Sequence, residues 1–431
     1  MNWELAATVY FGLMLVLLFA GVWIAISLAA AGVLGLMLVK PALIGGLESV
    51  VWNTIDSFVL TAVPLFLFMG TVILHSGISA RFYRGLALWL NRVPGGLAQT
   101  NIVACSVFAA LCGSSVATAA TIGSIAIPEM QKRGYGTRPM TGTLAAGGTL
   151  GILIPPSIPL IIYGSTVSES VGRLFVAAVF PGILMALLFM LYLALHASFR
   201  PKEFARPDAT VPFAARLLAL KDVLPLVLLA ALIFVGIYAG IMTPTEAAGI
   251  GAAGALVAAA LYGRLSFEVL RKSLLETLRT NAMILFIVVG AQIMSFALVS
   301  AGIPRAMVAS IQAMQTSPQL VLLLVCLLYL VLGCLVDALS LMLLTLPVVH
   351  PVMMAAGFDP LWFGIVLVIL LEIGLITPPV GMNLFVIQGL ARAPLTEVAW
   401  GAFPYVLISL LCVLILTLFP DIAMWLPKQM F

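Results

Sequence analysis

The sequence predicts an all-α, multi-span membrane protein assembled from two related halves. Of its 431 residues, 63% are hydrophobic and only 8% are charged, and the mean hydropathy is +1.22. A soluble domain could not cover so much apolar surface, so most of the chain must face lipid or other helices. A run also repeats: residues 150–156 read L-G-I-L-I-P-P, and residues 373–379, 223 positions later, read I-G-L-I-T-P-P.

Clusters of basic residues give a predicted topology, because Lys and Arg collect on the cytoplasmic side of membrane proteins. The apolar stretch 97–127 lies between two such clusters, so it should enter and leave on one face. Its middle, 112–115, is small and polar, and its two arms are short for a core of about 30 Å. We therefore predict a re-entrant helical hairpin. The clusters contain Arg81, Arg84 and Arg92; Lys132, Arg133 and Arg138; Arg200, Lys202, Arg206, Arg216 and Lys221; and Arg264, Arg271, Lys272 and Arg279.

The repeat divides the chain into residues 1–222 and 223–431, each with the same predicted order of elements. The first half has scaffold helices over 5–76, a hairpin over 97–127, a broken helix over 140–163 and a span over 172–198. The second half has scaffold helices over 223–300, a hairpin over 319–352, a broken helix over 361–390 and a span over 396–419. We expect residues 5–39 to cross twice, with a break at Gly21, although one tilted crossing is the alternative.

Charge bias predicts that the two halves are inverted in the membrane. The basic stretch 264–279 corresponds to 41–56, which carries Glu48 and Asp56 and no Lys or Arg. Corresponding segments should therefore face opposite sides, as in an inverted-topology repeat. Both segments are too polar to span, and we predict amphipathic helices that lie along the two interfaces.

Each double proline lies within an apolar stretch that is long enough to span. It removes two amide donors and frees carbonyl groups in the preceding turn, and these must be satisfied or must line a polar cavity. Freed carbonyls suit Na⁺, and the N-termini of half-helices suit anions. Two proline-kinked packing helices are the alternative, which the in-register duplication disfavours. The candidate residues are Gly147, Gly148, Thr149, Gly151, Pro155, Pro156, Ser157, Glu372, Gly374, Thr377, Pro378, Pro379, Gly381 and Asn383.

The predicted hairpin tips carry polar residues. The first tip has Ser114, Ser115, Thr118 and Thr121, and the second has Asp337, Ser340 and Thr345. A carboxylate deep in a membrane marks an ion path or an ion pair by default, although Asp337 could also lie in a wet vestibule or bond a backbone amide. Hydroxyls such as those of Thr121 and Thr345 often bond back to their own helix.

Two further glutamates have alternative roles. Glu372 could bind a cation or cap a helix, and Glu246 fits a helix cap after Thr243-Pro244.

Four motifs resemble the large membrane subunit of tripartite ATP-independent periplasmic (TRAP) transporters, and they follow one another in order along the whole chain. They are C-G-S-S-V-A-T-A-A-T-I-G-S-I-A-I-P-E-M-Q-K-R-G-Y-G at 112–136, G-T-L-G-I-L-I-P-P-S-I-P-L-I-I-Y-G at 148–164, G-I-Y-A-G-I-M-T-P-T-E-A-A at 236–248 and L-E-I-G-L-I-T-P-P-V-G-M-N-L-F-V at 371–386. The resemblance implies the ion-transporter superfamily fold and an elevator-type mechanism in the bacterial inner membrane. It also implies Na⁺-coupled symport of a small organic acid, such as a dicarboxylate or sialic acid, from a periplasmic solute-binding protein. A small four-helix membrane subunit would be the second protein partner, and no nucleic acid is involved.

The resemblance also implies where ligands bind. Na⁺ would lie where each hairpin tip meets its broken helix, and the solute would lie between the two tips. The implied Na⁺ residues are Ser114, Ser115, Thr149, Gly151, Pro155, Asp337, Gly374, Thr377 and Pro378. The implied solute residues are Ser115, Thr118, Pro156, Ser157, Asp337, Pro379, Gly381 and Asn383.

Two other classes of function are weighed against this one. A stand-alone cation/proton antiporter of related fold would need no soluble partner and would use Asp337 and Glu372 as proton carriers. An intramembrane enzyme is disfavoured, because Ser114 and Ser115 have no histidine in a nearby segment and the motif H-E-x-x-H does not occur.

Overall fold

The computed structural model describes residues 3–205 and 212–430, so Arg206 of the third basic cluster lies outside the described residues. All regular elements in these ranges are helical. Eight helical segments are long and apolar enough to cross a membrane, and the segment Thr137–Val167, which contains the first double proline, is one of them. The chain is therefore a multi-pass membrane protein.

The first half contains ten α-helices, with short 3₁₀ turns at Pro41–Gly46, Phe58–Thr61 and Pro201–Glu203. The α-helices are α1 (Trp3–Phe19), α2 (Ile24–Val39), α3 (Leu47–Ile55), α4 (Ala62–Ser76), α5 (Ile78–Leu90), α6 (Leu97–Cys112), α7 (Ser115–Lys132), α8 (Thr137–Leu153), α9 (Ile158–Val167) and α10 (Val171–Phe199).

The second half of the described chain also contains ten α-helices. They are α11 (Phe213–Tyr238), α12 (Pro244–Leu261), α13 (Phe267–Ser300), α14 (Ile303–Ala313), α15 (Pro318–Gly333), α16 (Ala338–Ala355), α17 (Pro360–Leu375), α18 (Met382–Ala391), α19 (Leu395–Leu418) and α20 (Asp421–Met430). The division at 222/223 falls inside α11, which begins ten residues earlier than the sequence predicts.

The 223-residue offset of the sequence is also an offset of secondary structure. It carries α7 onto α16 at both ends and α9 onto α18 within one residue. It also relates α5 to α14, two short helices that the sequence analysis did not predict. Each stretch predicted as a hairpin is a helix–turn–helix, and its re-entry into one face of the membrane stays a prediction.

One element departs from the expected pattern. The amphipathic helix predicted over 264–279 is wrong as a separate element, because α13 runs without a break through Phe267–Ser300. In the first half, the corresponding helix α3 ends at Ile55, Ser57 has an extended backbone, and the next α-helix, α4, begins at Ala62. No proline interrupts α13, so its polar start and its apolar end form one helix.

Two smaller expectations agree with the structure. Gly21, at φ 79°, lies in the break between α1 and α2. Glu246 caps α12: its carboxylate accepts a hydrogen bond from the Thr243 amide at 2.7 Å, and its own amide donates to the Thr243 hydroxyl at 3.3 Å. This reciprocal pair is a capping box.

The interrupted helices lie at the centre of the packing. Every residue of α17 from Leu361 to its end is buried, and 94% of the most apolar window of Thr137–Val167 is buried. A helix that is apolar on all sides, such as α17, requires neighbours all around it. By contrast, only 28% of the corresponding window of α11 is buried, so α11 lies at the periphery. The first double proline is therefore held inside the protein by surrounding helices, whereas Pro378 and Pro379 are exposed, just beyond the end of the buried helix α17.

Candidate functional site

The first interruption separates α8 from α9 at a buried double proline. The Pro155-Pro156 bond is cis, and both rings are buried. Ser157 caps the second half-helix, since its hydroxyl accepts a hydrogen bond from the Leu160 amide at 3.3 Å. The same hydroxyl donates to the carbonyl oxygen of Ile152, which lies before the break. Ser157 thus ties together the two ends that the prolines separate.

The second interruption separates α17 from α18 and is more open. Pro378 and Pro379, also joined by a cis bond, are exposed. The Thr377 hydroxyl, in the interruption, donates back to the carbonyl of Ile373 in the last turn of α17 at 2.6 Å. The Val380 amide donates to the Cys334 carbonyl at 2.9 Å and fastens the loop to the turn between α15 and α16.

Both helix pairs turn through a polar cap. In the first turn, Gly113 has φ 60°, and the Ser114 side chain accepts from the Ala117 amide at 3.5 Å. In the second turn, Asp337 caps α16 by accepting from the Ser340 amide at 3.0 Å. The alternative in which Asp337 bonds a backbone amide is therefore present in the structure. Thr118 and Thr345 each donate to a carbonyl four residues earlier, at 2.8 Å in both cases.

Glycines allow each turn to touch its interrupted helix. A β carbon on Gly151 would lie 2.8 Å from the carbonyl oxygen of Ser114. A β carbon on Gly374 would lie 2.7 Å from the carbonyl oxygen of Gly333, in the second helix pair. Any larger residue would force backbone apart at these places, so glycine is required for the close approach.

Asn383 joins the two halves of the chain at the first turn. Its amide nitrogen donates to the Ser115 hydroxyl at 2.7 Å and to the Ala145 carbonyl at 3.0 Å. Its own carbonyl oxygen is buried and has no protein partner among the described residues. At the second turn, the buried Ser340 hydroxyl is likewise unpartnered in the described chain. Such oxygens fit a hard cation, which takes carbonyl, hydroxyl and carboxylate ligands.

A single cavity of about 400 Å³ brings the turns and the interrupted helices together. Of the predicted site residues, Ser114, Ser115 and Asp337 line it. Both interruptions reach it through neighbouring residues, Ile152, Ile158 and Pro159 in the first half and Leu375 and Met382 in the second. The remaining predicted residues are not among its lining: Thr118, Thr149, Gly151, Pro155, Pro156, Ser157, Gly374, Thr377, Pro378, Pro379, Gly381 and Asn383.

The opposite wall of the cavity comes from α4 and α13, and the sequence analysis missed it. Thr71 on α4 and Glu276, Thr277 and Thr280 on α13 line this wall. Glu276 bonds His75 on α4 at 2.6 Å, and the hydroxyls of Thr71 and Thr277 share a hydrogen bond at 3.1 Å. Glu276 and Thr280 are four residues apart, on one face of the helix, and that spacing was the available signal.

Glu372 lies apart from the cavity. It is 0% exposed inside α17, and neither carboxylate oxygen has a hydrogen-bond partner among the described residues. The capping alternative for Glu372 is wrong, because the residue lies three positions before the end of its helix and accepts no amide hydrogen bond.

These features define a class of protein, a multi-pass membrane protein in which interrupted helices meet at one cavity. The fold agrees, since it is similar to the crystal structure of the YdaH transporter of Alcanivorax borkumensis, with a TM-score of 0.62 and 17% identity over 90% of this chain and 89% of that one. That level of identity supports the fold alone.

Sequence comparison identifies the particular family. Residues 11–422 match the family described as tripartite ATP-independent periplasmic transporter, DctM component. The chain is 36% identical to the C4-dicarboxylate TRAP transporter large permease protein DctM of Pseudomonas aeruginosa, over 93% of this chain and 94% of that protein. It is 32% identical to the sialic acid TRAP transporter large permease protein SiaM of Vibrio cholerae, over 96% of both. The chain therefore belongs to the DctM family of TRAP transporter large permeases, whose members are transport proteins and not enzymes.

Proposed function

We propose that this chain is the large permease of a Na⁺-coupled importer that moves a small organic acid anion across the bacterial inner membrane. The observation that carries the proposal is the single cavity at which both helix-pair turns and both interrupted helices converge. Freed carbonyls, hydroxyls and the carboxylate of Asp337 supply ligands for Na⁺, while the second carboxylate of the lining, that of Glu276, is paired with His75; half-helix N-termini supply positive potential for an anion. No Lys or Arg lines the cavity in the described chain, so bound Na⁺ would supply the balancing charge.

The two ion sites are proposed at the two turns. The first would use Ser114, Ser115 and the chain around Gly151, which already approach one another within contact distance. The second would use Asp337 with the loop that follows Gly374, which is fastened to the second turn by the Val380 amide. The solute would lie between the turns, with Ser115 and Asp337 facing it.

The proposed movement is of elevator type. Scaffold helices α4 and α13, which pack against each other and against α12 and α2, form one wall of the cavity. The helix pairs and interrupted helices form the other wall and would slide along the scaffold with their cargo. Because the relatives are large permeases of tripartite systems, we propose a small four-helix membrane subunit and a periplasmic solute-binding protein as partners.

The test is uptake into proteoliposomes that contain both membrane subunits, with the loaded binding protein outside. An inward Na⁺ gradient should drive accumulation of the solute, and replacement of Na⁺ by choline on both sides should abolish it. Equal uptake in choline would refute the coupling. The solute itself is found first, by a thermal-shift screen of the binding protein against organic acids.

One observation favours a second candidate, a stand-alone cation/proton antiporter. Glu372 is a fully buried carboxyl group without a protein partner among the described residues, which is a suitable site for a proton. This candidate predicts transport without any binding protein and a steep loss of activity in acid for Asp337→Asn. Strict dependence of transport on the binding protein would exclude it.

A further inference from the structure

A second cavity of about 310 Å³ lies between the first-half scaffold and the end of α9. Its lining is polar but uncharged in the described chain and comprises hydroxyl and amide side chains, with a few apolar residues. The residues that matter here are Asn53, Thr54, Ser57 and Leu60 on the scaffold side, and Ser165 and Thr166 on α9.

The scaffold wall of this second cavity is the repeat counterpart of the wall of the first. At the 223-residue offset, Asn53, Thr54, Ser57 and Leu60 correspond to Glu276, Thr277, Thr280 and Met283. All four counterparts line the first cavity. Two segments that correspond in the repeat therefore each border a cavity, although only one of them faces the two turns in this structure.

The two cavities also lie at different depths along the same helices. On α13, the first cavity is bordered by residues 276–284 and the second by Val288 and Gln292. At 1.5 Å per residue, their centres are about 15 Å apart along the helix axis. On α9, the first cavity reaches Pro159 and the second reaches Ser165 and Thr166, a separation of about 10 Å.

We infer that Asn53, Thr54 and Ser57 form the scaffold wall of the solute site in the opposite transport state. The inference rests on the proposed function, because it requires the turns to move between two scaffold walls. In an inverted repeat, the two states are related by exchange of the halves. The present state places the turns against Glu276, Thr277 and Thr280, so the exchanged state places them against the three counterparts. The ligand there is the same small organic anion, for which the Asn53 amide and the Ser57 hydroxyl are hydrogen-bond donors, while the Thr54 hydroxyl donates to the Val50 carbonyl at 2.7 Å in the present state.

Paired cysteines test this inference, and the repeat supplies the matched control. The control pair is Val116→Cys with Thr280→Cys, since both positions line the first cavity in this structure. The test pair is its exact repeat counterpart, Leu339→Cys with Ser57→Cys, whose members line different cavities here. Both pairs are placed in a transport-active background from which the five native cysteines have been removed. Cross-linking by Hg²⁺ is followed by mass spectrometry of linked peptides and by solute uptake.

We expect both pairs to cross-link, each to stop transport, and thiol reagent to restore it. The inference would be overturned if, in protein that is active in transport, the control pair cross-linked and the test pair never did. This test is separate from the test of Na⁺ coupling. If the test pair cross-linked in a transporter whose uptake did not depend on Na⁺, this inference would be supported and the proposed Na⁺ coupling would be refuted.

A kinetic measurement provides a second readout that does not depend on cross-linking. Asn53→Leu should raise the KM several-fold when the solute binds from the membrane face on which the second cavity lies. The KM for transport in the reverse direction should be unchanged. Asp56→Asn, an exposed neighbour that does not line the cavity, is the control. A KM for entry equal to that of the control would argue against contact between Asn53 and the solute.

Discussion

At the scale of single residues, the surroundings of several predicted ion ligands depend on contacts with nearby backbone more than on the chemistry of their side chains. Thr149 and Thr377, both predicted ion ligands, have hydroxyls that donate to backbone carbonyls three and four residues earlier, at 2.8 and 2.6 Å. Sequence could not distinguish this arrangement, because a threonine that faces a cavity and one that bonds back look alike in a string of letters. Gly151 is among the residues that the resemblance implies for Na⁺, and the structure places it against the backbone of Ser114.

Gly151→Ala should therefore impair the protein at the contact between α8 and the first turn. The new β carbon would lie 2.8 Å from a backbone oxygen, and overpacking of this kind costs about 1–3 kcal/mol. We expect a lower thermal unfolding midpoint in detergent and a large loss of uptake.

Gly389→Ala on α18 is the matched control, since a β carbon there meets nothing within 4 Å. It should be neutral or slightly stabilising, because alanine favours a helix over glycine by about 1 kcal/mol. Identical unfolding midpoints and uptake rates for the two variants would show that the contact at Gly151 has no role.

At the scale of elements, the sequence located the breaks but not their surroundings. Pro155-Pro156 and Pro378-Pro379 both fall between helices, as the missing amide donors require. The first pair is buried and the second is exposed, a difference that depends on which helices pack nearby and has no local signal. For the same reason the continuity of α13 was missed, because polar residues at 268–279 suggest a helix of their own.

Replacement of Pro155-Pro156 by Ala-Ala should convert α8 and α9 into one continuous helix and abolish uptake. Two restored amides would bond the carbonyls of the preceding turn, and those carbonyls would no longer be available to an ion. Uptake in proteoliposomes is the measurement, normalised to the amount of variant protein inserted in the membrane. Normal insertion confirms that the variant is assembled.

Pro225→Ala is the matched control, because this proline lies inside the uninterrupted helix α11 at the periphery. Its removal should leave uptake within about twofold of the unmodified chain. Full activity in the Ala-Ala variant would mean that the interruption is a packing detail without a role in transport.

At the scale of the whole molecule, the sequence predicted the duplication and could not predict the contacts between the halves. The Asn383–Ser115 hydrogen bond joins residues 268 positions apart, and the Arg138–Glu397 ion pair joins residues 259 apart. The cavity wall formed by Thr71 and Glu276 is of the same kind. Such pairs depend on how helices dock, and nothing in either segment alone specifies the partner.

Na⁺ should stabilise the whole fold if it binds the folded state as proposed. A ligand at about 100 times its Kd stabilises a protein by about 2.7 kcal/mol, which corresponds to a rise of a few degrees in the unfolding midpoint. We expect the purified protein to unfold at a higher temperature in NaCl than in choline chloride at equal ionic strength. Asp337→Asn should lose part of this difference, because Asp337 supplies the carboxylate at the second turn. Asp56→Asn, which is exposed and does not line the cavity between the turns, should keep all of it. Since the measurement needs neither solute nor partner subunits, equal midpoints in the two salts would count directly against Na⁺ sites in this chain.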